Sequence, residues 1–194
     1  VYVLDVAGGG EARRVGSSPI AARSPRWSPD GRSLLFQASV YPGAGDMEAN
    51  KKAAAERKDA KSKVRAYDSF PIRRWDKWLD DTVAHLFVTS VDGDGAARDL
   101  LAGSALAAGK GFGGTGGEGS TEDLQPVWTP DGKSVLFVAT TTRDASAYAT
   151  ANPQIFSVST AGGEPRAVTS GNASWTTPRF SPDGRTLCAH VEDE

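Results

Sequence analysis

Apolar residues fall along this chain in short runs, each closed by a turn rich in glycine or proline. Val1-Tyr2-Val3-Leu4-Asp5-Val6, His85-Leu86-Phe87-Val88-Thr89-Ser90-Val91 and Gln154-Ile155-Phe156-Ser157-Val158-Ser159 alternate as half-buried β-strands do. Each runs into a turn, at Gly8-Gly9-Gly10, Asp92-Gly93-Asp94-Gly95 or Gly162-Gly163. A further short strand is predicted after each turn, around Arg13–Val15, Arg98–Leu101 and Arg166–Thr169.

A second pattern recurs three times. Pro25-Arg26-Trp27-Ser28-Pro29-Asp30-Gly31-Arg32-Ser33-Leu34-Leu35-Phe36 is matched by Pro126-Val127-Trp128-Thr129-Pro130-Asp131-Gly132-Lys133-Ser134-Val135-Leu136-Phe137. The third copy is Pro178-Arg179-Phe180-Ser181-Pro182-Asp183-Gly184-Arg185-Thr186-Leu187. Each reads as a β-hairpin: proline presets φ, aspartate suits the next turn position, and glycine takes the left-handed conformation that closes it. That turn role accounts for the recurrence of Asp30, Asp131 and Asp183 without a metal.

Two hairpins per unit predict a four-stranded antiparallel blade, and repeated blades predict a propeller. The expected fold is therefore all-β: a partial β-propeller of about three four-stranded antiparallel blades with a helical insertion, occupying residues 1–194 as one incomplete domain. The second and third copies, at Pro126 and Pro178, start 52 residues apart, which suits one blade. The first and second, at Pro25 and Pro126, start 101 apart. Only one strand-turn-strand unit lies in that gap, so an insertion is expected rather than a blade without its signature. Val1 reads as a strand already under way, and the order of units implies that the chain opens in the second half of one blade and stops after the first half of another. The open sheet edges are then expected to pair with further blades or with another copy of the chain.

Residues 42–84 interrupt the β pattern. Asp46 through Ala66 has no glycine or proline and is rich in Ala, Lys, Glu and Arg, which predicts a helix with Asp46 as N-cap. Its basic residues are interspersed with Glu48, Glu56 and Asp59, so it reads first as a solvated face and second as a docking surface. A second short helix is predicted over Ile72–Asp81, with Trp75, Trp78 and Leu79 on one face. Those tryptophans would pin the insertion to its scaffold or form the rim of a binding cavity. At such a rim Arg73 or Arg74 would meet a carboxylate, and Asp76, Asp80 or Asp81 a cationic amine. Residues 103–120 are glycine-rich and read as a mobile loop. Gly109-x-Gly111-x-x-Gly114 follows no βαβ strand, and Gly111 stands where a phosphate-binding loop needs Ser or Thr after Lys110, so neither nucleotide motif holds.

A formal net charge of −2 and a pI near 5.8 give no reason to expect nucleic acid or an anionic membrane as a partner. The sequence has no apolar run long enough for a membrane-spanning helix. The lone Cys188 cannot form an internal disulfide, which leaves the compartment open. No Gly-x-Ser-x-Gly elbow occurs, and the two histidines, His85 and His190, show no partner set in sequence. No catalytic residue, metal site or cofactor is expected in this chain.

The Ser-Pro-Asp-Gly repeats resemble those shared by periplasmic Tol-associated propellers and by peptidases of the prolyl oligopeptidase family. Lys63-Val64-Arg65-Ala66-Tyr67-Asp68, Arg73-Arg74-Trp75-Asp76-Lys77-Trp78-Leu79-Asp80-Asp81 and His85-Leu86-Phe87-Val88 resemble the matching segment of bacterial dipeptidyl peptidases of the acylaminoacyl-peptidase branch. The resemblance implies a non-catalytic propeller gating access of short peptides to a C-terminal α/β-hydrolase domain absent from this chain. By the same resemblance, acidic propeller residues hold a substrate's amino group, with Asp76, Asp80 and Asp81 as candidates. It also implies a bacterial periplasmic or secreted protein, with the cytoplasm left open. The alternative is a non-enzymatic periplasmic propeller of the Tol-associated type that docks protein partners.

Overall fold

In the computed structural model, Ser/Thr-Pro-Asp-Gly builds the same turn three times. The structure describes residues 1–15, 22–62, 64, 66–67, 70–74, 76–79, 81–93, 96–116 and 122–193, and for Arg74 and Lys77 the backbone alone. In the first turn Gly31 N–H donates to the Ser28 carbonyl at 2.9 Å, with Gly31 at φ 70°. The Ser28 hydroxyl donates to Asp30 Oδ1 at 2.6 Å and accepts from Ser33 N–H at 2.9 Å. Asp30 Oδ1 also accepts from Arg32 N–H at 3.0 Å. Thr129 and Asp131, then Ser181 and Asp183, repeat the arrangement.

These hydrogen bonds hold the three turn carboxyls below the usual carboxylate range, the Ser or Thr hydroxyl being the main cause and the following N–H the next. A lowered folded value means that the ionised form favours the folded state. That contribution is complete above the ordinary aspartate range and is lost as pH falls through the lowered values. Urea midpoints should therefore hold down to about pH 4 and fall below it. Replacing all three aspartates by asparagine should flatten this acid limb.

The strands assemble in chain order. β1 (Tyr2–Val3) and β2 (Arg13–Arg14) pair with each other. β3 (Arg23–Trp27) and β4 (Ser33–Val40) precede an insertion holding α1 (Met47–Asp59), β5 (Arg73–Arg74) and β6 (Lys77–Trp78). β7 (Val83–Ser90) and β8 (Ala97–Asp99) then complete an antiparallel sheet of order β3-β4-β7-β8. Next come α2 (Ala105–Ala108) and the short pair β9 (Thr115–Gly116) and β10 (Glu122–Asp123). β11 (Val127–Trp128), β12 (Ser134–Ala139), β13 (Gln154–Ser159) and β14 (Arg166–Ala167) form a second four-stranded sheet in that order. β15 (Ser174–Phe180) and β16 (Leu187–Glu192) pair last. By the repeat register these are the second half of one blade, two whole blades and the first half of another: a partial β-propeller.

The second strand of each whole blade is buried on both faces, which explains its near-continuous apolar run. Leu35 faces the gap between the two whole blades, where it joins Val135, Phe137, Phe156, Leu100, Leu101, Phe112 and Leu124. Phe36 points to the opposite face with Ala38, Val40 and Phe87. Leu136, Val138 and Ile155 pack instead on Trp175, Phe180 and Leu187 of the last half-blade. Directly paired phenylalanines recur at matching places: Phe36 on Phe87 at 5.5 Å and Phe137 on Phe156 at 5.7 Å between centroids. Such pairs are worth about 1 kcal/mol beyond area burial. Successive turns also touch: a Cβ on Gly184 would lie 2.8 Å from Pro130, so glycine there answers to packing as well as to its φ of 71°.

One recurrent feature was not legible in the repeat. The residue before each repeat proline, Ser24, Gln125 and Thr177, has a positive φ of 53°, 47° and 54°. Register shifts bracket Ser24 and Thr177, so the left-handed residue is part of a bulge that bends the blade's first strand. A polar relay joins these positions. Gln37, 1% exposed, donates from Nε2 to Ser24 Oγ at 3.1 Å and to Asp123 Oδ1 at 3.0 Å, while its Oε1 accepts from Leu124 N–H at 3.0 Å. Asp123 Oδ1 accepts from Gln125 N–H at 2.8 Å, and Gln125 Oε1 accepts from Thr177 N–H at 2.6 Å. Three successive blades are thereby linked.

The insertion leaves and rejoins the sheet between paired neighbours Val40 and Val83. α1 begins as expected, with the Asp46 carboxylate accepting from Ala49 N–H at 2.7 Å, but ends at Asp59. Its one buried residue, Asn50, accepts from Tyr41 N–H at 2.9 Å and donates to the Ser39 carbonyl at 3.1 Å. Asn50→Ala leaves both backbone groups without their partner and is expected to cost about 2 kcal/mol. Limited proteolysis should show faster cleavage within residues 41–82, and an unchanged rate would remove Asn50 as the anchor.

The expected helix over Ile72–Asp81 is instead a hairpin: Arg73 pairs with Trp78 and Arg74 with Lys77. A helix this short carries the full nucleation cost, and its Trp, Ile and Asp are indifferent helix formers. The hairpin closes around Asp76 with Leu79 N–H on the Ile72 carbonyl at 3.1 Å. The glycine-rich stretch is likewise no loose loop over 103–116. It carries α2, bridges Gly113 to Thr140, and buries Phe112 in the main core. A Cβ on Gly111 would fall 2.0 Å from the Thr141 carbonyl oxygen, so this glycine serves a close backbone approach. Residues 117–121 lie outside the described ones.

Candidate functional site

Where the insertion meets the glycine-rich segment they enclose a cleft of about 730 Å³. Five stretches converge on it: residues 40–45 at and after the end of β4, Ala66, Tyr67, Pro71 and Asp81 of the insertion, Val83 and His85 of β7, residues from Leu101 to Phe112, and Arg143. Val83 and His85 alternate along β7 and so share the face that forms the floor. Tyr41 and Tyr67 line it, the Tyr67 hydroxyl donating to the Leu79 carbonyl at 2.8 Å and its ring lying 6.4 Å from Trp78. Lys110 and Arg143 also line it, their segments tied by Arg143 N–H on the Gly111 carbonyl at 2.9 Å.

The charged groups here are arranged in pairs. His85 Nδ1 lies 2.7 Å from Asp99 Oδ2, and both side chains are nearly buried. Asp99 Oδ1 accepts from Leu101 N–H at 2.9 Å, which orients the carboxylate toward the ring. Arg143 is ion-paired with Glu122, whose other oxygen accepts from Gly114 N–H at 3.1 Å. Burial lowers the Arg143 guanidinium below its ordinary value, and its Nε is buried without a partner among the described residues. Asp81 is ion-paired with Arg57, and Arg57 lies 4.6 Å from the Tyr41 ring centroid. α2, which forms another wall, is capped by Ser104, and Glu164 of the next blade accepts from Ala105 and Leu106 N–H.

Of the six residues singled out from sequence, Asp81 lines the cleft. Asp76 is exposed in the hairpin turn and Arg73 is exposed on β5; neither lines the cleft. Arg74 contributes described backbone only, and Trp75 and Asp80 lie outside the described residues. Sequence reasoning missed Tyr41, Lys110, Arg143 and the His85–Asp99 pair. The last had a signal: once the hairpin of β7 and β8 is drawn, Asp99 opposes Phe87, two residues from His85.

A second groove, of about 780 Å³, runs between the two whole blades beside Trp128 and Arg98. Its carboxylates, Asp30 and Asp131, are engaged within their own turns. Among the described residues no three His, Cys, Asp or Glu side chains gather as a metal site, and no helix is long and apolar enough to cross a membrane.

Blades with this strand order and repeat place the chain in the β-propeller class. Solved structures similar to it are propeller-bearing proteins of two kinds. Puromycin hydrolase is similar at 15% identity, with a TM-score of 0.51, over 98% of this chain and 23% of that one. TolB from Acinetobacter baumannii is similar at 15% identity and a TM-score of 0.48, over 98% of this chain and 33% of that one. A protein described as TolB from Agrobacterium tumefaciens shows 18% identity and a TM-score of 0.43, over 93% and 44% of the two chains. The chain thus spans less than half of each. At these identities the shared property is the fold, and the puromycin hydrolase superposition carries it. No protein-family model and no curated protein matches the chain.

Proposed function

We propose that this chain is the propeller portion of a serine exopeptidase of the prolyl oligopeptidase family, of dipeptidyl or acylaminoacyl type, gating short peptides toward a hydrolase domain. The observation that carries the reading is where the insertion sits. The insertion, which carries the sequence that resembles the bacterial dipeptidyl peptidases, lies between the second and third strands of a blade, and its Ala66, Tyr67, Pro71 and Asp81 line a cleft of peptide size. The fold likeness to puromycin hydrolase agrees with it. This chain supplies no nucleophile elbow, so its part is access and binding. A periplasmic or secreted location belongs to the same reading.

The test is the intact mass of the natural protein, followed by hydrolysis of dipeptidyl and acyl-aminoacyl chromogenic substrates. A mass well above 20.3 kDa with activity blocked by a serine-directed inhibitor is the expected result. A chain that continues into further blades without a Gly-x-Ser-x-Gly hydrolase domain would overturn it and leave the Tol-associated docking propeller.

A further inference from the structure

Among the described residues, the titratable side chains that line the insertion cleft with acid or basic groups are Asp81, His85, Lys110 and Arg143. None of their charges is spare. Asp81 is paired with Arg57 and Arg143 with Glu122, and Lys110 has its own interaction within the chain. Arg143 Nε lacks a partner but is itself buried, so it is not presented to a ligand. Most of the remaining lining is apolar: Val40, Tyr41, Tyr67, Val83, Leu101 and Phe112, with alanines of α2. His85, on the floor, supplies the polar exception. Asp99 accepts from its Nδ1, so the neutral ring carries its lone pair on Nε2. That nitrogen makes no hydrogen bond among the described residues, yet it is not one of the buried side-chain atoms left without a partner, which are Arg23 Nε, Arg143 Nε and Trp175 Nε1. It is therefore open to the cleft that His85 lines.

We propose that this cleft binds an uncharged molecule bearing a phenol, with the phenol hydroxyl donating to His85 Nε2 and the ring lying on the apolar lining. Charge decides the first part. Taking a charged group out of water is costly unless an uncommitted opposite charge receives it. Here an ammonium would compete with Arg57 for Asp81, and a carboxylate with Glu122 for Arg143. An uncharged ligand meets neither cost. Hydrogen bonding decides the second part. A wholly apolar ligand would cut Nε2 off from water without giving it a donor, so the ligand must bring one. A phenol joins an O–H donor to an aromatic ring, which suits walls carrying Tyr41, Tyr67 and Phe112. A tyrosine side chain within a peptide and a free phenolic compound share this chemistry. The inference stands on the cleft alone and does not require the peptidase reading.

The experiment is calorimetric titration of the 194-residue chain at neutral pH with two matched pairs of phenols. N-acetyl-L-tyrosinamide and N-acetyltyramine are uncharged; N-acetyl-L-tyrosine and tyramine are their anionic and cationic counterparts. Each uncharged member should bind about tenfold more tightly than its charged counterpart. N-acetyl-L-phenylalaninamide, which lacks only the hydroxyl, should bind about fivefold more weakly than the tyrosinamide. His85→Asn keeps a donor toward Asp99 but has nothing in place of Nε2, and should erase the preference for the hydroxyl. In the unaltered protein, imidazole nitrogen NMR gives a readout independent of any variant's folding. The His85 Nε2 resonance should move on adding the tyrosinamide and stay in place on adding the phenylalaninamide. Tighter binding of N-acetyl-L-tyrosinamide than of N-acetyltyramine upholds the proposal with peptide tyrosines as the source, and the reverse order upholds it with free phenols. Equal affinity for charged and uncharged members, a phenylalaninamide that binds as well as the tyrosinamide, an unmoved Nε2 resonance, or no binding at millimolar concentration would overturn it. Whether a hydrolase domain follows enters none of these results, so either reading can fail without the other.

Discussion

Phe137→Ala is expected to destabilise the chain by about 4 kcal/mol, the range typical of deleting a buried aromatic. Phe137 is 0% exposed and sits in the gap between the two whole blades, stacked on Phe156 and surrounded by Leu100, Leu101, Phe112 and Leu124. Those neighbours come from four stretches, β13, the residues just after β8, the glycine-rich segment and the residue after β10, and none can collapse into the void without dragging backbone. Against a net stability of about 5–15 kcal/mol, such a loss removes a large part of the total. Urea unfolding followed by tryptophan fluorescence measures it. Phe137→Leu, which keeps most of the volume, should cost about 1–2 kcal/mol. A loss below 1 kcal/mol for the alanine variant would mean that the inter-blade core is not packed as described.

Gln37→Ala is the second large effect, at about 3 kcal/mol, and its cause is polar. Leu124 is fully buried and its N–H would lose the Gln37 acceptor, while Asp123 and Ser24 would lose a donor. Gln37→Glu separates the two roles. It keeps the acceptor for Leu124 but sets a carboxylate against Asp123, so its deficit should be larger at pH 7 than at pH 4, where protonation relieves the repulsion. If Gln37→Ala and Gln37→Leu are both near neutral by urea unfolding, the relay between blades contributes nothing to stability.

The blades were legible because their chemistry is local. Ser28, Pro29, Asp30 and Gly31 determine one turn with their own side chains and backbone, and the same four-residue logic recurs at Thr129 and Ser181. The left-handed residues were not legible, since Ser24, Gln125 and Thr177 have no common preference for that conformation. At Ser24 and Thr177 a bulge imposes it, and the bulge depends on pairing with a strand further along the chain. The hairpin at Arg73–Trp78 was misread because a ten-residue window cannot separate a 3.6-residue period from two short paired strands. The cleft was least legible of all, because Tyr41, Tyr67, His85, Lys110 and Arg143 are brought together only by the fold.

The paired neighbours Val40 and Val83 bracket the whole insertion, so β4 and β7 keep their register whatever lies between them. To the sheet the insertion is simply a long hairpin connection, and tripling such a connection adds only about 1 kcal/mol of closure entropy. Descendants of this blade are therefore free to exchange residues 41–82 wholesale for a segment of another length and chemistry. What they must keep is a clip for the end of β4, the task that Asn50 performs here. Specificity in such a ring evolves as a replaceable cassette, while the repeats beneath it answer only to packing.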